Sequence, residues 1–224
     1  MVELISGLQA ETVAANIERV RARIAAAGRT HDSVQILAAV KYLPEPELAA
    51  LAAGGVTLAG ENRAQELAVK APLHPELTWD FIGALQSRKV AAVLPHVRYI
   101  HSVASDSALE QLAKHGDERT QILVEVNIAG EEGKAGVSVA ELPAFLARAP
   151  VAVVGLMTMP PRAEHPEDSR RHFRALRELA GEHGLRELSM GTSQDYVVAL
   201  EEGATIIRLG STLFAPHADG ATTA

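Results

Sequence analysis

The sequence contains no cysteine, so disulfide bonds and thiolate chemistry are both excluded. It also lacks any uninterrupted apolar stretch long enough to span a bilayer. The first residues, Met-Val-Glu-Leu-Ile-Ser, place an acid early and lack a basic segment before a hydrophobic run, so we predict no signal peptide. From these absences we expect a cytoplasmic protein with no membrane partner.

Basic residues are not in excess either. The chain has 21 Lys and Arg against 28 Asp and Glu, a formal net charge of −7, whereas a nucleic-acid-binding protein usually presents a basic face. The densest basic cluster falls in a helical pattern, which we interpret as a solvated helix face; it comprises Arg170, Arg171, Arg174 and Arg177. The nine histidines are dispersed, and none lies in a ligand motif such as His-Glu-x-x-His. We therefore expect no nucleic-acid partner and no metal.

Short apolar runs alternate regularly with helical patterns. Residues 6–27 are predicted to form an amphipathic helix, with a capping box at Ser6 and Gln9 and a terminating Gly28. The predicted strands are 34–40, 56–59, 79–82, 97–102, 122–126, 151–157, 187–190 and 205–209. The predicted helices between them are 45–53, 62–71, 86–94, 105–116, 138–148, 166–182 and 194–202. Eight strands that alternate with helices indicate an α/β protein in which a parallel sheet closes into a (β/α)8 TIM barrel.

An open, doubly wound sheet is the alternative fold, because a strand count made from one sequence is easily wrong by one. We predict a single domain over residues 1–214 and a disordered tail over 215–224, since the last residues are small and polar. No full helix is predicted after the eighth strand. The N-terminal helix is therefore expected to cover the barrel surface where an eighth helix would lie.

Polar residues collect at the predicted C-terminal ends of the strands, where barrels of this kind carry their chemistry. The first strand runs into Lys41. The seventh and eighth are followed by two small, donor-rich turns, 191–193 (Gly-Thr-Ser) and 210–212 (Gly-Ser-Thr), at the two loops where phosphate sites commonly form. A lysine that ends a strand usually just extends into water. Next to a phosphate site, however, Lys41 indicates a Schiff base with pyridoxal 5′-phosphate, and partial burial would help keep its amine neutral.

Eight segments in this order resemble the pyridoxal phosphate homeostasis protein family, whose members are single-domain relatives of the N-terminal barrel of bacterial alanine racemase. The resemblance covers residues 6–214. The segments are AAVKYLP (38–44), GENRAQEL (60–67), FIGALQSRKV (81–90), HSVAS (101–105), VEVNIAGEEGKAGV (124–137), VVGLMTM (153–159), LSMGTSQDY (188–196) and IIRLGSTLF (206–214).

The resemblance implies a role for six residues. Lys41 would carry pyridoxal phosphate, Asn62 would lie near its ring, and Arg208 would face the pyridine nitrogen. The phosphate site would comprise Ser193, Gly210 and Ser211. The chain departs from the family pattern at four positions, which are Asp80 in place of His, Arg88 in place of Asn, Thr192 in place of Met and Gln194 in place of Asp. The serine of the phosphate turn is kept, so we expect cofactor binding to be kept as well.

The resemblance implies a protein that acts in vitamin B6 homeostasis and amino-acid and keto-acid balance, without robust catalysis of its own. Enzymes that need pyridoxal phosphate would be its recipients, and it would be a monomer or a weak dimer. An amino-acid racemase of the alanine racemase type is the alternative. Such a racemase takes a catalytic tyrosine from a second domain, whereas this chain offers only Tyr42, Tyr99 and Tyr196. An arginine at the ring nitrogen also makes the ring a weaker electron sink, which argues against a general transaminase.

A lysine-dependent aldolase on the same fold is a third hypothesis. It needs an acid–base group beside the lysine, and Glu61 is the candidate, although a solvated loop acid or a structural ion pair explains that residue better. His101 is the one histidine at a predicted strand end. We interpret it as a hydrogen-bonded barrel residue.

Overall fold

Eight parallel strands close into a barrel in the computed structural model, which describes residues 4–216. The strands are β1 (Gln35–Ala39), β2 (Leu58–Glu61), β3 (Thr78–Phe81), β4 (Tyr99–Val103), β5 (Gln121–Glu125), β6 (Ala152–Met157), β7 (Glu187–Thr192) and β8 (Ile206–Leu209). Each strand pairs with its neighbours in sequence, and β1 pairs with β8 through four residues in register. The predicted (β/α)8 barrel is therefore confirmed, and the open sheet is wrong.

Helices surround the barrel. They are α1 (Ala10–Ala26), α2 (Leu48–Ala53), α3 (Ala64–Leu73), α4 (Val90–Val93), α5 (Asp106–His115), α6 (Leu142–Ala147), α7 (Arg170–Glu182), α8 (Tyr196–Glu201) and α9 (Ser211–Phe214). Several predicted helices begin with a 3₁₀ turn, as at Glu45–Glu47 and Pro166–Ser169, so their α-helical parts start later than predicted. No helix described between residues 4 and 216 is long and apolar enough to cross a membrane.

The first helix begins four residues later than predicted, and the Ser6–Gln9 capping box is wrong. Gly7 has a φ of +73°, a left-handed conformation that a right-handed helix cannot continue through. The backbone N–H groups of Gly7 and Leu8 instead donate to the Glu47 carboxylate, at 2.9 and 2.7 Å. At the other end, Gly28 also has a φ of +73° and follows the last turn, as predicted.

Helix α1 covers the barrel between α8 and α2, as expected. It contacts α2, α8 and α9, and its buried face comprises Val13, Asn16, Ile17, Val20 and Ile24. The Asn16 amide donates to the carbonyls of Leu213 and Ala215, at 2.9 and 3.1 Å, and so ties α1 to the chain after β8. Ala215, the first residue of the predicted tail, is thus held by α1, and residues 217–224 of that tail lie outside the described residues.

A small apolar cluster lies inside the barrel, near its N-terminal end. Leu37, Leu58 and Ile206 form this cluster, which is separate from the large core between the strands and the helices. Side chains alternate along a strand, so the residues two and four positions after Leu37 face inward as well. Lys41 therefore lies on the inward face, just beyond the end of β1.

The arginines of α7 are not only a solvated face. Arg170, Arg174 and Arg177 all place a guanidinium nitrogen within 3.0–3.1 Å of the Glu202 carboxylate, which is 5% exposed. The sequence analysis did not predict these ion pairs because Glu202, which follows α8, is distant in sequence from the arginines of α7. These ion pairs fasten α7 to the turn that leads into β8.

Candidate functional site

The structure brings the six predicted site residues to the ends of four adjacent strands. In barrel order these strands are β7, β8, β1 and β2. Ser193 follows β7; Arg208, Gly210 and Ser211 lie in or after β8; Lys41 follows β1; and Asn62 follows β2. All six thus share one sector of the barrel mouth.

Lys41 lies at the rim of this sector. Its side chain is exposed, and its Nζ lies 4.6 Å from the centre of the Tyr42 ring, close enough for a cation–π contact. The expected partial burial is therefore wrong, because no loop of the described chain folds over the end of β1 to cover this side chain. The amine is open to a ligand that enters the mouth.

A buried ion pair supports the ends of β1 and β2 from behind. Lys70 on α3 donates to Glu61 Oε2 at 2.7 Å and to the Val40 carbonyl at 3.4 Å, and the side chains of Lys70 and Glu61 are 2% and 0% exposed. Glu61 Oε1 also accepts the backbone N–H groups of Asn62 and Arg63, at 2.6 and 3.1 Å. Glu61 is thus a structural ion-pair residue that faces the helices, and the aldolase base predicted as an alternative is not at the mouth.

Asn62 carries an unsatisfied buried acceptor. Its Oδ1 is buried and has no hydrogen-bond partner within residues 4–216. The backbone of Asn62 also packs directly on Gly83, where a Cβ would come within 2.0 Å of the Asn62 carbonyl oxygen. Leaving a buried acceptor unpaired costs about 1–3 kcal/mol, so this oxygen is well suited to accept a hydrogen bond from a ligand.

The two turns predicted for phosphate lie in contact with each other. Ser193 Oγ accepts the backbone N–H groups of both Gly210 and Thr212, each at 3.3 Å. Gly191 needs its glycine, since its φ is +89° and a Cβ would lie 2.5 Å from the Ala199 Cβ. The two N–H groups position the Ser193 hydroxyl, whose own proton is left for an anion, and we call these two turns the anion cradle.

The outer side of this cradle opens on a cavity of about 760 Å³. Arg19 and Arg23 of α1 line it together with Ser193, Ser211 and Thr212. Both guanidinium groups therefore add positive potential on the outer side of the cradle.

Three of the four departures from the family pattern, Arg88, Thr192 and Gln194, lie around this cradle or on the surface. The Thr192 N–H and hydroxyl both contact Asp195 Oδ1, at 2.8 and 3.1 Å, and Ser169 donates to the other oxygen at 2.9 Å. Asp195 therefore stabilises the turn at residues 191–193 and accepts a hydrogen bond from the Thr192 N–H. Gln194 is exposed, and Arg88 binds the Gln86 side chain at the surface.

Arg208 points into the barrel above Ile206, as the strand alternation predicted. Its partners are neutral: Ser189 Oγ at 2.6 Å, the Thr158 carbonyl at 2.9 Å and Met159 Sδ at 2.8 Å. Burial lowers the pKa of Arg208 to about 10, against the opposing effect of Asp195 and Glu125. The guanidinium thus stays protonated at neutral pH and can only donate.

Behind Arg208 lies a buried polar group that the sequence analysis did not assemble. His101 Nδ1 lies 2.8 Å from Ser189 Oγ, and its Nε2 lies 3.1 Å from Asp80 Oδ2. Arg98 makes a two-pronged ion pair with the same carboxylate, at 3.1 and 2.6 Å. His101 is thus a hydrogen-bonded barrel residue, as interpreted from the sequence, but its partners on β3 and β7 could not be identified there.

Glu125 also lies at the barrel mouth, and the sequence analysis did not identify it as a site residue. Its neighbours Ile122 and Val124 pack outward against the helices, so Glu125 faces the inside of the barrel mouth. Burial raises the pKa of its carboxyl group, although the charges of Arg208 and Lys134 oppose the shift. Strand alternation alone would have revealed this residue.

The described residues between 4 and 216 hold no cluster of three or more His, Asp or Glu side chains able to bind a metal. The mouth instead offers a reactive amine, an anion cradle, a fixed cation and an unpaired amide oxygen. These groups fit a small phosphorylated aldehyde whose ring carries an acceptor.

Comparison with known proteins identifies the family of the chain. Residues 9–217 match the family described as "Alanine racemase, N-terminal domain". A pyridoxal phosphate homeostasis protein of Aquifex aeolicus is 39% identical over 213 residues, which cover 88% of this chain and 93% of that protein. One of Pseudomonas aeruginosa is 36% identical over 94% of this chain and 98% of its own.

Solved structures of other proteins share the fold of this chain. PipY of Synechococcus elongatus with PLP bound has 31% identity and a TM-score of 0.76, over 91% of this chain and 100% of its own. Alanine racemase of Corynebacterium glutamicum has a TM-score of 0.72 over 97% of this chain and 63% of its own, and at 14% identity it shows the shared fold alone. The chain therefore belongs to the pyridoxal phosphate homeostasis protein family, built on the barrel that alanine racemase carries as its N-terminal domain.

Proposed function

We propose that this protein binds pyridoxal 5′-phosphate at the barrel mouth, as a Schiff base on Lys41, and acts in vitamin B6 homeostasis and amino-acid and keto-acid balance. The observation that carries the proposal is the convergence of Lys41, Asn62, Arg208 and the Ser193 cradle at four adjacent strand ends. Membership of the family supports it, as does the PLP-bound structure of PipY.

Each residue would have a distinct part in binding. The amine of Lys41 would condense with the cofactor aldehyde and release one water. The hydroxyls of Ser193 and Ser211 would donate to the phosphate, since a dianion takes up converging donors, and the N–H groups of Gly210 and Thr212 would hold Ser193 in place. Arg208 would donate to the ring nitrogen, and the Asn62 amide would lie against the ring substituents.

The exposure of Lys41 supports a carrier more than an enzyme. Active sites exclude water around the reacting atoms, whereas this amine stands at the rim, where both water and an acceptor protein reach it. Enzymes that need pyridoxal phosphate would then be the recipients. The cytoplasmic location and the monomeric or weakly dimeric state stay predictions.

The racemase alternative needs a tyrosine at the mouth. Tyr99 lies low in the barrel beside Arg98, 4.0 Å from its guanidinium carbon to the ring centre. Tyr196 begins α8 and packs against the core. Tyr42 is close to Lys41, but its ring contacts the ammonium group of that residue through its face. We therefore expect no turnover in the ordinary range of about 1–1000 per second when purified holoprotein is tested for racemisation of a panel of L-amino acids, and such a turnover would contradict the carrier proposal.

Cofactor binding is tested by titrating the purified protein with pyridoxal phosphate and recording the visible absorption band of the Schiff base. Wild type and the control Lys114→Met, which changes an exposed lysine on α5, should both show the band. Lys41→Met should lack it while keeping the same melting temperature. A Lys41→Met protein that still forms the band would refute the attachment point.

A further inference from the structure

Four inward-facing residues form one unbroken chain of hydrogen bonds across the barrel. Arg208 Nη1 lies 2.6 Å from Ser189 Oγ, Ser189 Oγ lies 2.8 Å from His101 Nδ1, and His101 Nε2 lies 3.1 Å from Asp80 Oδ2. Each of the four is at most 5% exposed. They come from β8, β7, β4 and β3, so the chain crosses the barrel below the mouth.

The chemistry of the groups fixes the direction of the two outer bonds, and a neutral His101 ring then fixes the central one. A guanidinium only donates, so Ser189 Oγ accepts from Arg208. The Ser189 hydroxyl is then free to donate to His101 Nδ1, which requires the ring proton to be on Nε2, where it donates to the Asp80 carboxylate. Arg98 and the Tyr99 N–H bind the same carboxylate, at 2.6–3.1 Å, and keep it charged.

The chain leaves part of the guanidinium available. Arg208 has five donors, of which one is used on Ser189 and two on Thr158 and Met159. A carboxylate bound directly to Arg208 would neutralise the guanidinium and compete for its donors. Here the Asp80 carboxylate is instead separated from Arg208 by His101 and Ser189, and the neutral hydroxyl of Ser189 orients the guanidinium without occupying its other side.

We propose that Ser189, His101 and Asp80 are positioning residues that hold the Arg208 guanidinium with its free donors toward the ring nitrogen of the bound cofactor. This inference rests on the proposed function. Asp80 is one of the positions where the chain departs from the pattern that the resemblance implies.

Binding of two ligands distinguishes a loss of Arg208 positioning from a general loss of protein stability. One is pyridoxal phosphate, and the other is its carbocyclic analogue, in which C–H replaces the ring nitrogen. Ser189→Ala should weaken binding of pyridoxal phosphate by about fivefold or more and binding of the analogue by less than about twofold. Ser189→Thr keeps the hydroxyl and should restore the difference between the two ligands.

Thr205→Val is the matched control. The Thr205 hydroxyl also bridges β7 and β8, through Glu187 at 2.7 Å and the Leu188 N–H at 2.8 Å, but at the opposite end of the barrel. This variant should bind both ligands as wild type does. Equal weakening of both ligands by Ser189→Ala would overturn the inference, whereas a wild type that binds neither ligand would contradict the proposed function itself.

The ligand-free protein provides a test that needs no variant of Ser189. With ¹⁵N-labelled histidine, NMR should show His101 neutral near pH 6.5 with its proton on Nε2, and His101→Gln identifies its signals. His74, whose two ring nitrogens each lie 2.9 Å from a carboxylate of Glu76 or Glu45, should be protonated at the same pH and serves as the internal contrast. A proton on Nδ1 of His101, or a charged His101 at this pH, would overturn the inference.

Discussion

Replacing Lys70 by methionine should destabilise the protein by about 3 kcal/mol. Breaking a buried ion pair by removing one partner costs about 3–5 kcal/mol, because the other charge is left in the interior. Glu61, which is fully buried, would lose its ion-pair partner, and no other cation within residues 4–216 forms an ion pair with it. It keeps two backbone N–H donors, at 2.6 and 3.1 Å, so we expect the lower end of that range.

The loss should be visible in thermal unfolding. For a chain of this size, 1 kcal/mol shifts the melting temperature by about 2–4 °C, so Lys70→Met should melt about 6–12 °C below wild type. The matched control is Arg148→Met, which breaks a pair with Asp106 whose side chains are 52% and 70% exposed. Exposed pairs contribute about 0–1 kcal/mol, and this control should melt within about 4 °C of wild type.

A double variant tests the reason for the loss. In Lys70→Met with Glu61→Gln, the interior holds an amide instead of an unpaired charge, so the double variant should be more stable than Lys70→Met alone. Two results would refute the reasoning. One is a Lys70→Met protein within 1 kcal/mol of wild type, on the order of an exposed pair, and the other is a double variant that is less stable than the single one.

Three further predictions concern the anion cradle, the buried histidines and one glycine. Replacing Ser193 and Ser211 together by alanine removes two hydroxyl donors to a dianion, each worth roughly 1.5–3 kcal/mol, so affinity for pyridoxal phosphate should fall at least about tenfold; equal affinity in a binding titration would place the phosphate elsewhere. Burial lowers the pKa of His101, against the opposing effect of Asp80. The unfolded chain therefore binds a proton at His101 near pH 6.5 more readily than the folded chain does. Because of this difference, the free energy of unfolding decreases as the pH falls from about 7 to 5. His74 has the opposite sign: burial alone would lower its pKa, but hydrogen bonds to Glu76 and Glu45 raise it overall, so its contribution is present below pH 6.5 and is lost as pH rises. The free energy of unfolding should be measured with denaturant between pH 5 and 7. As the pH falls, it should decrease less in His101→Gln than in wild type and decrease more in His74→Gln. The opposite result for the two variants would contradict the pKa directions of both histidines. Gly181 lies inside α7 with nothing within 4 Å of a Cβ built on it, so Gly181→Ala should stabilise the protein by about 0.5–1 kcal/mol, and a lower melting temperature would contradict this.

The barrel and the location of the site could be predicted because both depend on local periodicity. The alternation of strands with helices determines which residues stand at the mouth, and the two-residue alternation of a strand places Lys41 and Arg208 on the inward face. The same alternation would have identified Glu125, which follows two outward-facing core residues of β5. The end of the first helix at Gly28 could also be predicted, because a residue that ends a helix in the left-handed region is usually glycine.

The contacts between elements distant in sequence could not be predicted. His101 meets Ser189 across 88 positions of the chain and Asp80 across 21, and these distances depend on the register and closure of the barrel. The ion pair of Glu61 with Lys70 depends in the same way on how α3 packs behind β2. A single sequence shows that such residues are polar and lie in apolar runs, but it does not identify their partners.

The attachment of pyridoxal phosphate to Lys41 is the central claim, and borohydride reduction tests it most directly. Reduction converts the Schiff base into a stable secondary amine, and mass spectrometry of the digested protein then identifies the modified lysine. The account predicts one modified peptide, which contains Lys41, and none in the Lys41→Met protein treated in parallel. A label on Lys89 or Lys134 in its place, or no label on a protein that shows the visible band, would contradict it.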